Sequence, residues 1–160
     1  MSADRVRAYI ALGANLGDSA ATLKTVLDEL RQTPGIAAVT ASRFYRTAPV
    51  EATGPDFVNA AAALDTTLAP LELLDVLQAL ELRHGRERPY RNAPRTLDLD
   101  MLLHGDQSLE DPRLVLPHPR MHLRAFVLRP LLDLAPTLRV AGRPAADWLA
   151  DIHDQPISPL

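Results

Sequence analysis

The sequence predicts an α+β fold: a ferredoxin-like βαββαβ sheet with helices packed on it and a C-terminal helical extension. Two stretches repeat apolar residues at helical spacing, Leu23, Val26, Leu27 and Leu30, then Leu73, Val76, Leu77 and Leu80. Short apolar runs of strand character stand before, between and after them, in the order strand, helix, strand, strand, helix, strand. No glycine-serine linker or composition break divides the 160 residues, which predicts a single domain over 1–160.

The elements follow in order. Ala8-Tyr9-Ile10-Ala11-Leu12 reads as a buried first strand, and Gly13-Ala14-Asn15-Leu16-Gly17-Asp18 as the turn after it. That turn lacks the Gly-Lys-Ser/Thr of a phosphate loop, so it predicts a tight turn and helix cap. Asp18 or Ser19 can cap the first helix, and Pro34-Gly35 stops it. Residues 36–45 read as one strand, and Arg46 to Pro55, with two prolines and a glycine, as a loop long enough to cover a ligand. A strand follows from Phe57 to Thr66. Pro70 suits the first turn of the second helix, and Gly85 its end. After the Asp98 strand, residues 105–124 read as a proline-punctuated loop. Residues 125–134 read as a helix despite Pro130, and Trp148 as the anchor of a short last helix.

Bulk composition excludes several classes. A net charge of −3 argues against a general nucleic-acid binder. The absence of cysteine removes disulfides and thiolate metal ligands. No apolar run approaches a membrane span, and the first residues lack the apolar core of a secretory signal, so the expected compartment is the cytoplasm. A monomer with no membrane partner is expected.

Positive charge is local. Arg83, Arg86, Arg88, Arg91 and Arg95 stand against one acid, Glu87, giving that window about +4. The chain then runs through Thr96-Leu97 into Asp98-Leu99-Asp100. Residues two apart in a strand share a face with backbones roughly 7 Å apart, so both carboxylates project together. Leu97, Leu99, Met101, Leu102 and Leu103 make that strand apolar, where paired carboxylates are costly unless a cation lies between them. A solvated strand face is the plain alternative; guanidinium forks beside the acids favour Mg2+ bridging a polyphosphate.

Other residues leave alternatives open. Glu81 falls within or beside the apolar stripe of the second helix, where it either reaches water or an arginine, or faces a polar ligand together with Gln78. His118, framed by Pro117 and Pro119, is either structural or, with Arg124 nearby, a phosphate contact. Phe57 and Asn59 share a strand face, which suits either core packing or a flat heterocycle.

Several ordered blocks carry a resemblance: Tyr9-Ile10-Ala11-Leu12-Gly13-Ala14-Asn15-Leu16-Gly17, Phe44-Tyr45-Arg46-Thr47-Ala48-Pro49, Pro55-Asp56-Phe57-Val58-Asn59-Ala60-Ala61, and Arg91-Asn92-Ala93-Pro94-Arg95-Thr96-Leu97-Asp98-Leu99-Asp100. With Pro117-His118 and Arg124-Ala125-Phe126, the chain resembles 6-hydroxymethyl-7,8-dihydropterin pyrophosphokinases of folate biosynthesis nearly end to end. The resemblance implies Mg2+-dependent transfer of pyrophosphate from ATP to the pterin hydroxymethyl group, releasing AMP. It implies Asp98 and Asp100 as ligands of two Mg2+ ions, and Arg86 and Arg95 as catalytic phosphate contacts. Gln78, Glu81, Arg113, His118 and Arg124 would line the ATP site. Thr47, Val50, Phe57, Asn59 and Phe126 would form the pterin pocket, with two rings sandwiching the bicycle. Loops closing over ATP first and then the pterin would exclude water.

The chain departs from the family pattern at Asn92, where an aromatic often stands, at Pro119, where a tyrosine often stands, and in an arginine loop one residue shorter. These positions fall on covering loops. A Mg2+-dependent phosphohydrolase would use the same acids and arginines, but the apolar and aromatic set of Phe57, Asn59 and Phe126 argues against it. A noncatalytic RNA-binding module shares the expected fold but would need stacking aromatics on its central strands.

Overall fold

A computed structural model describes residues 5–15, 18–48, 56–84 and 97–160. The first strand, β1 (Val6–Ala14), leads into α1 (Ser19–Arg31), whose first turn is capped by Asp18: the Ala21 N–H donates to Oδ1 at 3.1 Å. The chain then turns at Gly35, at a φ of +91° that favours glycine, into β2 (Ile36–Ala41).

The strand expected over 36–45 is broken. β3 covers Tyr45–Thr47, and both strands pair with the same neighbour, β4 (Phe57–Thr66). Ser42 causes the break: its hydroxyl, instead of a backbone carbonyl, accepts the Ala61 N–H at 2.8 Å and donates to Arg43 O at 2.7 Å. One extra residue is thereby inserted between the pairs Ala41–Ala62 and Tyr45–Asn59. Arg46 and Thr47, expected in the loop, belong to β3 because β4 supplies them with a ladder partner.

Helix α2 (Pro70–Arg83) begins with Pro70, whose missing N–H costs nothing there, and the Ala69 N–H donates to Glu72 Oε1 at 2.9 Å. It buries Leu73, Leu74, Leu77 and Leu80. The next strand, β5 (Asp98–His104), pairs with β1. In the segment expected to be loop, β6 (Leu109–Asp111) and β7 (Leu114–Leu116) form a hairpin, and Met121–Leu123 a single 3-10 turn. Helix α3 (Ala125–Leu134) tolerates Pro130 inside it. A two-residue ladder of β8 (Arg139–Val140) with β9 (Arg143–Pro144) precedes α4 (Ala145–Ala150), where Trp148 Nε1 donates to Val140 O at 2.6 Å. The chain returns to the sheet as β10 (Ile157–Pro159).

The main sheet is antiparallel, in the order β10-β3-β4-β1-β5, with β2 also paired to β4. Ile10, Leu12, Val58, Ala60, Ala62 and Leu64 face α1 and α2, while Ala11 and Ala61 face α3 and α4. Burial on both faces explains why β4 reads as a nearly continuous apolar run rather than an alternation. Tyr45, fully buried, ties sheet to extension by donating its hydroxyl to Asp133 Oδ2 at 2.6 Å. Burial and the adjacent Asp133 carboxylate hold its phenol above the ordinary range. Among the described residues, no helix is long and apolar enough to cross a membrane.

Candidate active site

Strand register builds the site. Gly13 lies opposite Asn59 on β4 and opposite Asp98 on β5, so Asn59, Gly13 and Asp98 form one row across the sheet. Ala61, Ala11 and Asp100 form the next row on the same face. The two acids thus stand side by side beyond the small residues of β1, on the face that carries α3.

These small residues leave room. A cavity of about 220 Å³ is lined by Ala11, Gly13, Thr47, Phe57, Asn59 and Phe126, with Asp98 and Asp100 in its wall. A Cβ on Gly13 would stand 3.1 Å from Asn59 Oδ1, tighter than a side chain normally accepts, so glycine keeps this floor open. Asn59 is buried, and its amide Nδ2 donates to Thr47 Oγ1 at 2.7 Å, which fixes the amide plane toward the cavity.

A second cavity, of about 360 Å³, lies along β5 between α2 and the hairpin. Gln78 and Glu81 reach it from α2; Asp111, Arg113 and His118 reach it from the far side. Asp98 and Asp100 belong to its wall as well, so the acid pair is the boundary shared by both cavities.

Glu81 lines the larger cavity beside Gln78, as the ligand-facing reading expected, and also serves the backbone. It is buried, 3% exposed, and the Leu99 N–H donates to its Oε2 at 3.0 Å. β5 is the last strand of its sheet, so this amide points away from β1 and needs an acceptor. The carboxylate supplies it at the peptide between the two aspartates. Glu81→Leu is expected to destabilise the protein by about 2 kcal/mol, and Glu81→Gln, which keeps an oxygen acceptor, by less than half of that. Denaturant titration of both variants checks this; equal losses would show that the charge, not the acceptor, matters.

The remaining expected residues divide. Arg113 Nη2 donates to Asp75 Oδ1 at 2.6 Å and to Gln78 Oε1 at 3.1 Å, which joins the hairpin to α2 across the second cavity. The His118 N–H donates to Leu102 O at 2.9 Å, and its Nδ1 accepts the Arg120 N–H at 3.1 Å, which leaves Nε2 to carry the imidazole proton. Burial, reinforced by Arg124 and Arg120 and opposed by Asp98, holds this histidine below its ordinary value. Arg124 is not among the lining residues of either cavity; its guanidinium lies 5.6 Å from the Phe126 ring centre. Val50, Arg86 and Arg95 lie outside the described residues, as does Asn92.

Two carboxylates on one face are hard oxygen donors suited to Mg2+, which keeps positions for phosphate oxygens and water. Among the described residues no group of three or more His, Asp or Glu side chains could hold a metal alone.

The model of the 7,8-dihydro-6-hydroxymethylpterin-pyrophosphokinase family, HPPK, matches residues 9–136. The chain belongs to the HPPK family. Among its relatives, a Pseudomonas aeruginosa 2-amino-4-hydroxy-6-hydroxymethyldihydropteridine pyrophosphokinase is 51% identical over 146 residues, covering 90% of each chain. One of the same name from Methylorubrum extorquens is 45% identical over 147 residues, covering 91% of this chain and 93% of that one.

Solved structures extend the likeness to the fold. A crystal structure of HPPK-DHPS in complex with substrates superposes with a TM-score of 0.74 at 11% identity, covering 92% of this chain and 43% of that one. Wild-type Plasmodium falciparum HPPK-DHPS with pteroate gives 0.72 at 13% identity, covering 94% and 43%. The chain spans less than half the length of those HPPK-DHPS chains.

Within this HPPK-family chain, sequence reading missed Ala11, Leu12, Gly13 and Ala48 in the smaller cavity, and Leu74, Asp111, Leu114 and Val115 in the larger. Period-two alternation along β1 was a usable signal for Ala11 and Gly13, once they were aligned beside the acids. Asp75, the partner of Arg113, gave none, being one of several exposed acids.

Proposed function

We propose that this protein transfers the pyrophosphoryl group of ATP to the hydroxymethyl oxygen of 6-hydroxymethyl-7,8-dihydropterin, releasing AMP, a step of folate biosynthesis. Membership of the HPPK family supports the reaction. The observation that supports its placement is that Asp98 and Asp100 form the wall between a small, largely apolar cavity with two phenylalanines and a larger polar one. In this reading the fold is ferredoxin-like, supported by the order β5-β1-β4-β2 of its core strands, and residues 1–160 form one pyrophosphokinase domain.

The pterin occupies the smaller cavity, its ring between Phe57 and Phe126 and its polar edge on Asn59 and Thr47, with Val50 completing the pocket. ATP occupies the larger, against Gln78, Glu81, Arg113 and His118, with Arg86 and Arg95 as phosphate contacts; Arg124, beside Phe126 and outside that lining, is left with no contact to ATP. The hydroxymethyl oxygen forms a bond to the β-phosphorus as its O–H bond breaks, and the proton is released with the products. The bond from that phosphorus to the oxygen bridging the α-phosphate breaks, and the bridging oxygen leaves with AMP. Bound at Asp98 and Asp100, two Mg2+ ions would neutralise phosphate charge and lower the pKa of the attacking hydroxyl. The side chains contribute position: the acids mark the junction, Glu81 fixes the peptide between them, and the apolar walls exclude water.

The test is product analysis: purified protein with ATP, Mg2+ and the dihydropterin, the nucleotides then separated. Pterin-dependent AMP without free pyrophosphate is expected. ADP, or hydrolysis that ignores the pterin, would replace this reading with a phosphohydrolase.

A further inference from the structure

Residues 155–160 touch two walls of the smaller cavity that lie far apart in sequence. One wall is the start of α3, where Phe126 is the second residue. The first N–H groups of a helix have no partner within it, and here Arg124 at the N-cap supplies no side-chain hydrogen bond. Gln155 supplies one from a distance: its Oε1 accepts the Ala125 N–H at 2.9 Å while its Nε2 donates to Leu123 O at 3.1 Å. The two bonds straddle Arg124 and fix the backbone that aims Phe126.

The other wall is β3, which carries Thr47 and leads to Ala48. Three residues paired on one side only make a marginal strand. β10 pairs with the opposite side, placing Ile157 by Thr47, Ser158 by Arg46 and Pro159 by Tyr45, and the Leu160 N–H donates to Phe44 O at 3.0 Å. Alternation from that bond makes Ser158–Arg46 a hydrogen-bonded pair, and puts Pro159 where a ladder N–H is not required.

We propose that residues 155–160 are a strap that sets pterin affinity by positioning the Phe126 and Thr47 walls together; Gln155 and Ser158 are its positioning residues. This rests on the pterin occupying the smaller cavity. Among the described residues, the larger cavity has no lining residue on β3, β10 or α3, so the strap acts on one substrate more than the other.

The test is steady-state kinetics of Gln155→Ala and Ser158→Pro, with each substrate varied in turn, beside Asn59→Ala as a direct pocket variant. Each strap variant is expected to raise KM for the pterin about three- to tenfold, with KM for ATP and kcat within about twofold. Unchanged pterin KM in both strap variants, or equal weakening of both substrates as from general loosening, would overturn the proposal. If Asn59→Ala also leaves the pterin KM unchanged, the cavity assignment itself fails. If only the strap variants are silent, the strap alone fails.

Discussion

Asp98→Ala and Asp100→Ala each lower kcat by about a thousandfold or more while the protein keeps its fold. The size of the effect follows from where the acids stand. Both project from one face of β5 into the boundary of the two cavities, so each would hold metal at the point where the reacting groups meet. Removing either one would take away a hard oxygen ligand and a negative charge from the cation proposed to lie there. The fold survives because the packing of this strand is carried by Leu97, Leu99, Met101 and Leu102, which are buried, whereas the acids are only partly so. Turnover assays with circular dichroism and denaturant titration check both halves. Near-normal turnover in either variant would remove the metal assignment.

Asn59→Ala and Phe126→Ala produce the second large effect, confined to the pterin. A buried amide aimed at a heterocycle edge discriminates strongly, because an unmatched ligand leaves polar groups unpaired; Asn59→Ala should raise pterin KM about a hundredfold. Loss of a stacking ring is worth about 1–3 kcal/mol, so Phe126→Ala should raise it roughly tenfold to a hundredfold. KM for ATP should stay within about twofold in both, since neither residue lines the larger cavity. Equal weakening of ATP would mean that the two cavities are not separate binding sites. Isothermal titration of a non-transferable ATP analogue alone, and of the pterin in the presence of that analogue, separates affinity from turnover.

Legibility in the sequence tracked the range of the interactions involved. α1, α2, β4 and β5 were readable because periodicity, Asp18 and Pro70 act within one element. The acid pair was readable for the same reason: alternation puts Asp98 and Asp100 on one face whatever the neighbours. The break at Ser42 was not, because it depends on a serine hydroxyl replacing a ladder partner on β4, about twenty residues away. β10 gave no signal: Ile157-Ser158-Pro159 is short, contains proline, and exists as a strand only because β3 offers an open side. The β6–β7 hairpin hid inside a proline-punctuated stretch.

Glu81 shows the same limit within the site. Helical geometry placed its carboxylate by the apolar stripe, but the Leu99 amide from which it accepts a hydrogen bond belongs to a strand edge that only tertiary structure creates. Asn59 and Gly13 likewise acquire their relation to Asp98 from register, not from spacing.

The most direct measurement is of metal against pterin. Mn2+ replaces Mg2+, an ATP analogue with a methylene between the α- and β-phosphorus blocks transfer, and NMR follows the hydroxymethyl protons of bound pterin. Strong paramagnetic broadening of those protons, lost in Asp98→Ala and Asp100→Ala, is the expected result. Pterin that binds in the presence of Mn2+ and nucleotide without broadening would contradict a reaction centre at the boundary of the two cavities.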